Sequence, residues 1–115
     1  MRVNKWIEKD GFEKLKASKE QQLVLLAADW CGYCNRFISI AQSYQPQNSK
    51  DNYELNIVNI ESEDGSLWDS LNVDLVPTLI VFQEGEQKFR RDAKSGTGLQ
   101  LGDLQRALAF ISGQG

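Results

Sequence analysis

The chain has 115 residues, of which 41% are hydrophobic and 25% charged, with a formal net charge of −3; this fits one globular domain, residues 1–115, with a modest core of its own. The acidic balance argues against a nucleic-acid partner, and no apolar run approaches the ~18 residues of a membrane span. With no histidine, the chain lacks the commonest metal ligand and the commonest general base, so any chemistry falls to cysteine, carboxylates, lysine or backbone groups.

The opening MRVNKWIEKDGFEKL carries charges throughout and lacks the apolar stretch of a secretory signal. A cytoplasmic location is therefore expected, although a trimmed leader would leave the same sequence and point to the periplasm or to secretion. Val3 and Trp6 mark a short strand or turn, with Trp6 half-buried. Asp10-Gly-Phe-Glu13 has capping-box spacing and predicts a helix over 10–18. The run QLVLLAA, 22–28, is too short for a buried helix and reads as a fully buried central strand. From Cys31 the period turns helical: Phe37, Ile38, Ala41 and Tyr44 share a face, and Pro46 closes the segment. YELNIVNI, 53–60, is a second strand, and DGSLWDSL, 64–71, a short helix whose Leu67, Trp68 and Leu71 face inward. VPTLIVFQ is an apolar strand opened by Pro77. The turn Glu84-Gly85-Glu86 leads into a more polar strand, QKFRR. Gly96-Thr-Gly98 makes a loop, and Leu101, Leu104, Leu108 and Ile111 line one face of a last helix. This order predicts an α/β domain: a central mixed sheet of four to five strands, an antiparallel hairpin at one edge, and flanking helices.

Cys31 and Cys34 are the only cysteines. Cys31 stands where the buried strand hands over to a helix, and the unpaired N–H groups there stabilise a thiolate. Cys34 lies one turn on, on the same face, with its Cα roughly 5 Å away, within disulfide reach. Cys31 is the expected exposed attacker, and Cys34, deeper in the helix, the thiol that resolves a mixed disulfide. Three other readings compete. A metal site commonly needs a second Cys pair or histidines, leaving only a zinc shared between two copies. A structural staple would close so short a loop that it constrains little. Inert buried thiols are common for isolated cysteines but do not account for this spacing.

Trp30-Cys-Gly-Tyr-Cys34 together with Val76-Pro77-Thr78-Leu79 resembles the thioredoxin family, over 23–111. The resemblance implies a thioredoxin-like fold and disulfide exchange with protein substrates through Cys31 and Cys34, with no bound cofactor and no metal. Electrons would pass to or from an external reductase or oxidase protein, and the domain would work as a monomer, free of membrane and nucleic acid. It implies a cis Pro77 facing the cysteines and a Val76 backbone that pairs with an incoming extended peptide. Trp30, Gly32 and Tyr33 would complete the contact surface. The sequence departs from the family at five places. Leu25 and Ile57 stand where thioredoxins place a buried aspartate and lysine that move protons for the buried thiol; their joint replacement avoids stranding one charge in the core. Tyr33 replaces the proline of the dipeptide, and Ser39 a helix-kinking proline. RRDAKSGTGLQ is longer than its counterpart and should lie beside the groove. Tyr33 is similar to glutaredoxins, yet Gly96-Thr-Gly98 only loosely matches their glutathione-binding glycines. A disulfide reductase, an isomerase or oxidase running the same chemistry in another direction, and a redox-modulated binding module all remain open at this stage.

Overall fold

The computed structural model describes residues 1–46 and 53–113. Nine elements follow in chain order: β1 (Arg2–Ile7), α1 (Lys9–Ala17), β2 (Gln22–Ala27), α2 (Gly32–Ser43), β3 (Glu54–Asn59), α3 (Leu67–Ser70), β4 (Thr78–Gln83), β5 (Glu86–Asp92) and α4 (Leu101–Ile111). The strands form one mixed sheet in the order β1-β3-β2-β4-β5. β1, β3 and β2 run parallel, while β4 and β5 are antiparallel to their neighbours.

Burial explains the order. Leu23 to Ala27, Leu55 to Val58 and Thr78 to Phe82 are buried at every position, so both faces of the three inner strands are covered. Phe82 meets Phe12 of α1 edge-on, with ring centroids 5.3 Å apart. The next position back, Val81, turns to the other face and pairs with Phe89 of β5, whose ring lies 5.5 Å from Phe110 of α4. Alternation along β4 therefore sets α1 and α4 on opposite sides of the sheet. Trp6 and Trp68 are partly buried against the core.

One local expectation is narrowed and one changes. Of the strand or turn expected around Val3 and Trp6, residues 2–7 form the strand; its half-buried pattern reflects an edge position, and its register slips between Asn4 and Ile7. The first helix begins at Lys9 with Glu8 at the N-cap and no side-chain cap, so the Asp10–Glu13 spacing is not a capping box. The orphan Lys9 N–H is taken instead by Ser62 Oγ at 2.9 Å, from the distant loop after β3. A local box does form at the last helix, where Asp103 accepts the Gln100 N–H at 2.8 Å.

The topology brings five chain segments to one end of the sheet. The parallel strands β1, β2 and β3 all finish there, β4 begins there, and β5 ends there. Residues 29–31, 60–63, 75–77 and 93–99 are thus neighbours around the start of α2.

Candidate active site

β2 ends at Ala27, and a tight turn, with the Cys31 N–H donating to Ala28 O at 3.2 Å, places Cys31 at the N-cap of α2. Its extended backbone lets Sγ reach back over the first turn, where it accepts the Cys34 N–H at 3.2 Å. The Cys31 thiol also donates toward Val76 O at 3.7 Å. The Val76–Pro77 peptide bond is cis, Pro77 is buried and Val76 is half-buried. The Val76 N–H has no acceptor among the described residues.

Cys34 has no exposed surface, and Cys31 is 7% exposed. The expected order of shielding holds, but Cys31 is not the open thiol that the sequence reading pictured. Its Sγ is engaged by the Cys34 N–H on one side and the Val76 carbonyl on another. Burial, reinforced by the hydrogen bond with Cys31, pushes the Cys34 thiol well above its ordinary value. Around this recess the apolar rim is open: Trp30 is 64%, Tyr33 42% and Leu75 45% exposed.

Each rim residue is held differently. Trp30 Nε1 donates to Glu61 Oε1 at 2.6 Å, fixing the indole toward the β3 side. Gly32 is exposed and a side chain there would meet open space, so neither turn nor packing demands glycine. Tyr33 lies against the loop after β5: a Cβ on Gly98 would come within 3.0 Å of the tyrosine ring. That loop closes on itself through the Lys94 and Gly98 backbones, with Gly98 N–H donating to Lys94 O at 2.8 Å. Arg36 on α2 ties it down by donating to Thr97 O (2.9 Å) and Leu99 O (3.3 Å), with its guanidinium 5.8 Å from the Tyr33 ring.

Leu25 and Ile57 are fully buried and are register partners on β2 and β3. No ionisable side chain occupies either position. Asp29 is exposed, and it is its backbone carbonyl that accepts a hydrogen bond, from Asn35 Nδ2 at 3.1 Å. Among the described residues no three His, Cys, Asp or Glu side chains are placed to share a metal ion. Sequence reasoning missed Leu75, Glu61 and Arg36. The run Val73-Asp-Leu75 ahead of Pro77 held a cue for Leu75, since an apolar residue in a turn has no local reason to be there. Glu61 and Arg36 offered none, because both act on backbone or side chains distant in the sequence.

The thioredoxin family model matches residues 3–108. The chain belongs to the thioredoxin family. Solved structures agree on the fold. The thioredoxin Mala s 13 of Malassezia sympodialis superposes with a TM-score of 0.71 at 18% identity, covering 96% of this chain and 90% of that one. Plasmodium falciparum thioredoxin gives 0.70 at 15% identity, over 96% and 98% of the two chains. A Halobacterium salinarum thioredoxin variant gives 0.68 at 21%, over 96% and 90%. A Schizosaccharomyces pombe protein that carries the name of a protein disulfide-isomerase is 30% identical over 81 residues. Those residues are 70% of this chain but 16% of the yeast protein, so the chain spans only a small part of that relative's length. The thioredoxin fold here carries the family's cysteine spacing on a central sheet whose buried Leu25 and Ile57 are both apolar.

Proposed function

We propose that the protein is a thiol–disulfide oxidoreductase that reduces disulfides of protein substrates through Cys31 and Cys34. One observation carries the reading: Cys31 Sγ sits at a helix start, accepts the Cys34 N–H at 3.2 Å, and lies 3.7 Å from Val76 O. A sulfur placed there receives the Cys34 N–H, a backbone donor that stabilises negative charge, at the positive end of the helix. It also faces a backbone edge whose Val76 N–H is unused among the described residues, where an extended substrate segment adds like a short strand.

The reaction balances without a cofactor. The Cys31 thiolate attacks one sulfur of the substrate disulfide, a Cys31–substrate disulfide forms, and the other substrate sulfur leaves as a thiolate that takes up a proton. Cys34 then gives up its proton and attacks Cys31 Sγ. The Cys31–Cys34 disulfide forms, and the second substrate sulfur leaves as a thiol. Two electrons pass from the dithiol to the substrate, and an external reductase protein restores the pair. Since burial holds Cys34 protonated and positions 25 and 57 offer no base, the departing substrate thiolate or water accepts its proton.

Turnover of insulin disulfides with dithiothreitol as reductant tests the reading. Cys31→Ser should abolish turnover, and Cys34→Ser should accumulate a mixed disulfide visible by mass spectrometry. Turnover that survives Cys31→Ser sinks the assignment. Equilibration with glutathione buffers tests the direction: a reductase requires a potential near or below about −270 mV, whereas one near about −180 mV would make the domain an isomerase.

A further inference from the structure

The sheet end that carries Cys31 is electrically two-sided. On the β1/β3 side, a hollow beside Trp6 is lined by Glu8, Asp29 and Glu61, with no cation on its wall. On the β5/α4 side lies a larger cleft of about 610 Å³ whose charged walls are Arg90, Arg91, Lys94 and Arg106 against Asp92 and Asp103.

Both carboxylates of the cleft are already engaged. Asp92 accepts from Arg90 at 2.7 Å, and Asp103 accepts from Arg91 at 2.9 Å. Arg90 is further held by the carbonyls of Leu71 and Asn72. Lys94 and Arg106 are left exposed with no anionic partner among the described residues. Arg106 lies back along α4, with a guanidinium nitrogen 3.4 Å from where a Cβ on Gly102 would stand, so its charge sits over the first turn of the helix. The cleft thus keeps two unspent positive charges on a protein whose net charge is −3. Its wall also includes Gly98, the residue against which Tyr33 packs beside Cys31.

We infer that this cleft is a docking site for a carboxylate-bearing segment of the protein partner whose disulfide is exchanged at Cys31. The inference rests on the exchange reading above and adds the class of substrate. A partner segment lying across Cys31 places one flank over the β5/α4 cleft and the other over the Glu8–Asp29–Glu61 hollow. Aspartate or glutamate on the first flank pairs with Lys94 and Arg106, and the same residues on the second flank meet like charge. The two clusters therefore select both the acidity of the partner and its orientation.

Four disulfide-containing peptides test this: a neutral one, two with three glutamates on one or the other side of the cysteine, and one with three lysines on each side. Exchange with reduced protein is followed as kcat/KM. One acidic-flank peptide should exceed the neutral peptide by about three- to tenfold at ~20 mM salt, falling toward parity near ~300 mM. In Lys94→Ala/Arg106→Ala that ratio should drop to about one, and in Lys94→Glu/Arg106→Glu it should invert. Equal kcat/KM for all four peptides, faster exchange of the lysine peptide, or a preference that survives both double variants overturns the inference while leaving exchange itself standing. Absence of exchange with every peptide, the neutral one included, overturns the exchange reading and this inference with it.

Discussion

Cys34 has no exposed surface, and its thiol is pushed up from an ordinary value of 9.0, first by burial and then by the hydrogen bond with Cys31. This has a consequence for stability. A group that holds its proton more tightly folded than unfolded contributes fully below the unfolded pKa, and that contribution is lost as pH rises toward the folded one. The reduced protein should therefore show a Cys34 contribution that is flat up to about pH 9 and then declines by about 1.4 kcal/mol per pH unit. Urea unfolding of reduced wild type and Cys34→Ala between pH 7 and 10.5 isolates it, because the tyrosines and lysines titrate in both. Parallel stability curves would show that Cys34 ionises as freely folded as unfolded. In the proposed exchange the same tight proton would keep Cys34 from competing with Cys31 for an incoming disulfide, which would order the two chemical steps. At the residue scale the cysteine spacing was readable from WCGYC. The contact of Cys31 with the Val76 carbonyl was not, since it joins residues 45 apart in the chain.

The elements around the dithiol are coupled by contacts that leave no local mark in the sequence. Gly98 has a left-handed backbone, φ +67°, and a Cβ there would approach the Tyr33 ring to 3.0 Å. Two penalties are thus separable at one position. Gly98→Ala should cost about 1–2 kcal/mol for the backbone alone, and more where the tyrosine must move. Tyr33→Ala removes the ring but keeps the Tyr33 Cβ, itself 3.0 Å from the Gly98 Cβ position, so only the ring's share of the clash is relieved, and a double-mutant cycle followed by urea unfolding should return a coupling of about 0.5–1 kcal/mol. A coupling of zero would mean that the β5–α4 loop does not rest on the Tyr33 ring. What the sequence did disclose follows the same division. β2 and β4 are apolar at successive positions because both their faces are covered, β3 breaks the run only at buried Asn56, whose Nδ2 donates to Leu23 O, and α4 shows its apolar stripe because one face packs. Those patterns are set by local burial. β1 sits at an edge, half-wet on both faces, so its pattern is too weak to separate strand from turn. The start of α1 depends on Ser62, 53 residues downstream of the Lys9 N–H that it accepts, while the nearer Asp10 and Glu13 imitate a cap.

For the molecule as a whole, redox state and folding are one linked equilibrium. The chain reaches the Cys31–Cys34 disulfide either by oxidising the folded dithiol or by unfolding, oxidising and refolding. The difference in folding free energy between the two redox forms therefore equals the difference in reduction potential between the folded and unfolded pairs. For this two-electron couple, 30 mV corresponds to about 1.4 kcal/mol. A domain that works as a reductant must hold its disulfide more favourably folded than unfolded. It follows that the oxidised protein should be the more stable form. For a chain of 115 residues each kcal/mol moves Tm by roughly 4 °C. Calorimetry of the oxidised protein and of the protein held reduced by a phosphine should then show a higher Tm for the oxidised form, by several degrees. The buried apolar pair Leu25 and Ile57 carries no charge that could titrate with redox state, so neither position makes this gap depend on pH. A reduced form that melts higher than the oxidised one would mean that the fold favours the dithiol, and the protein would then donate disulfides rather than remove them.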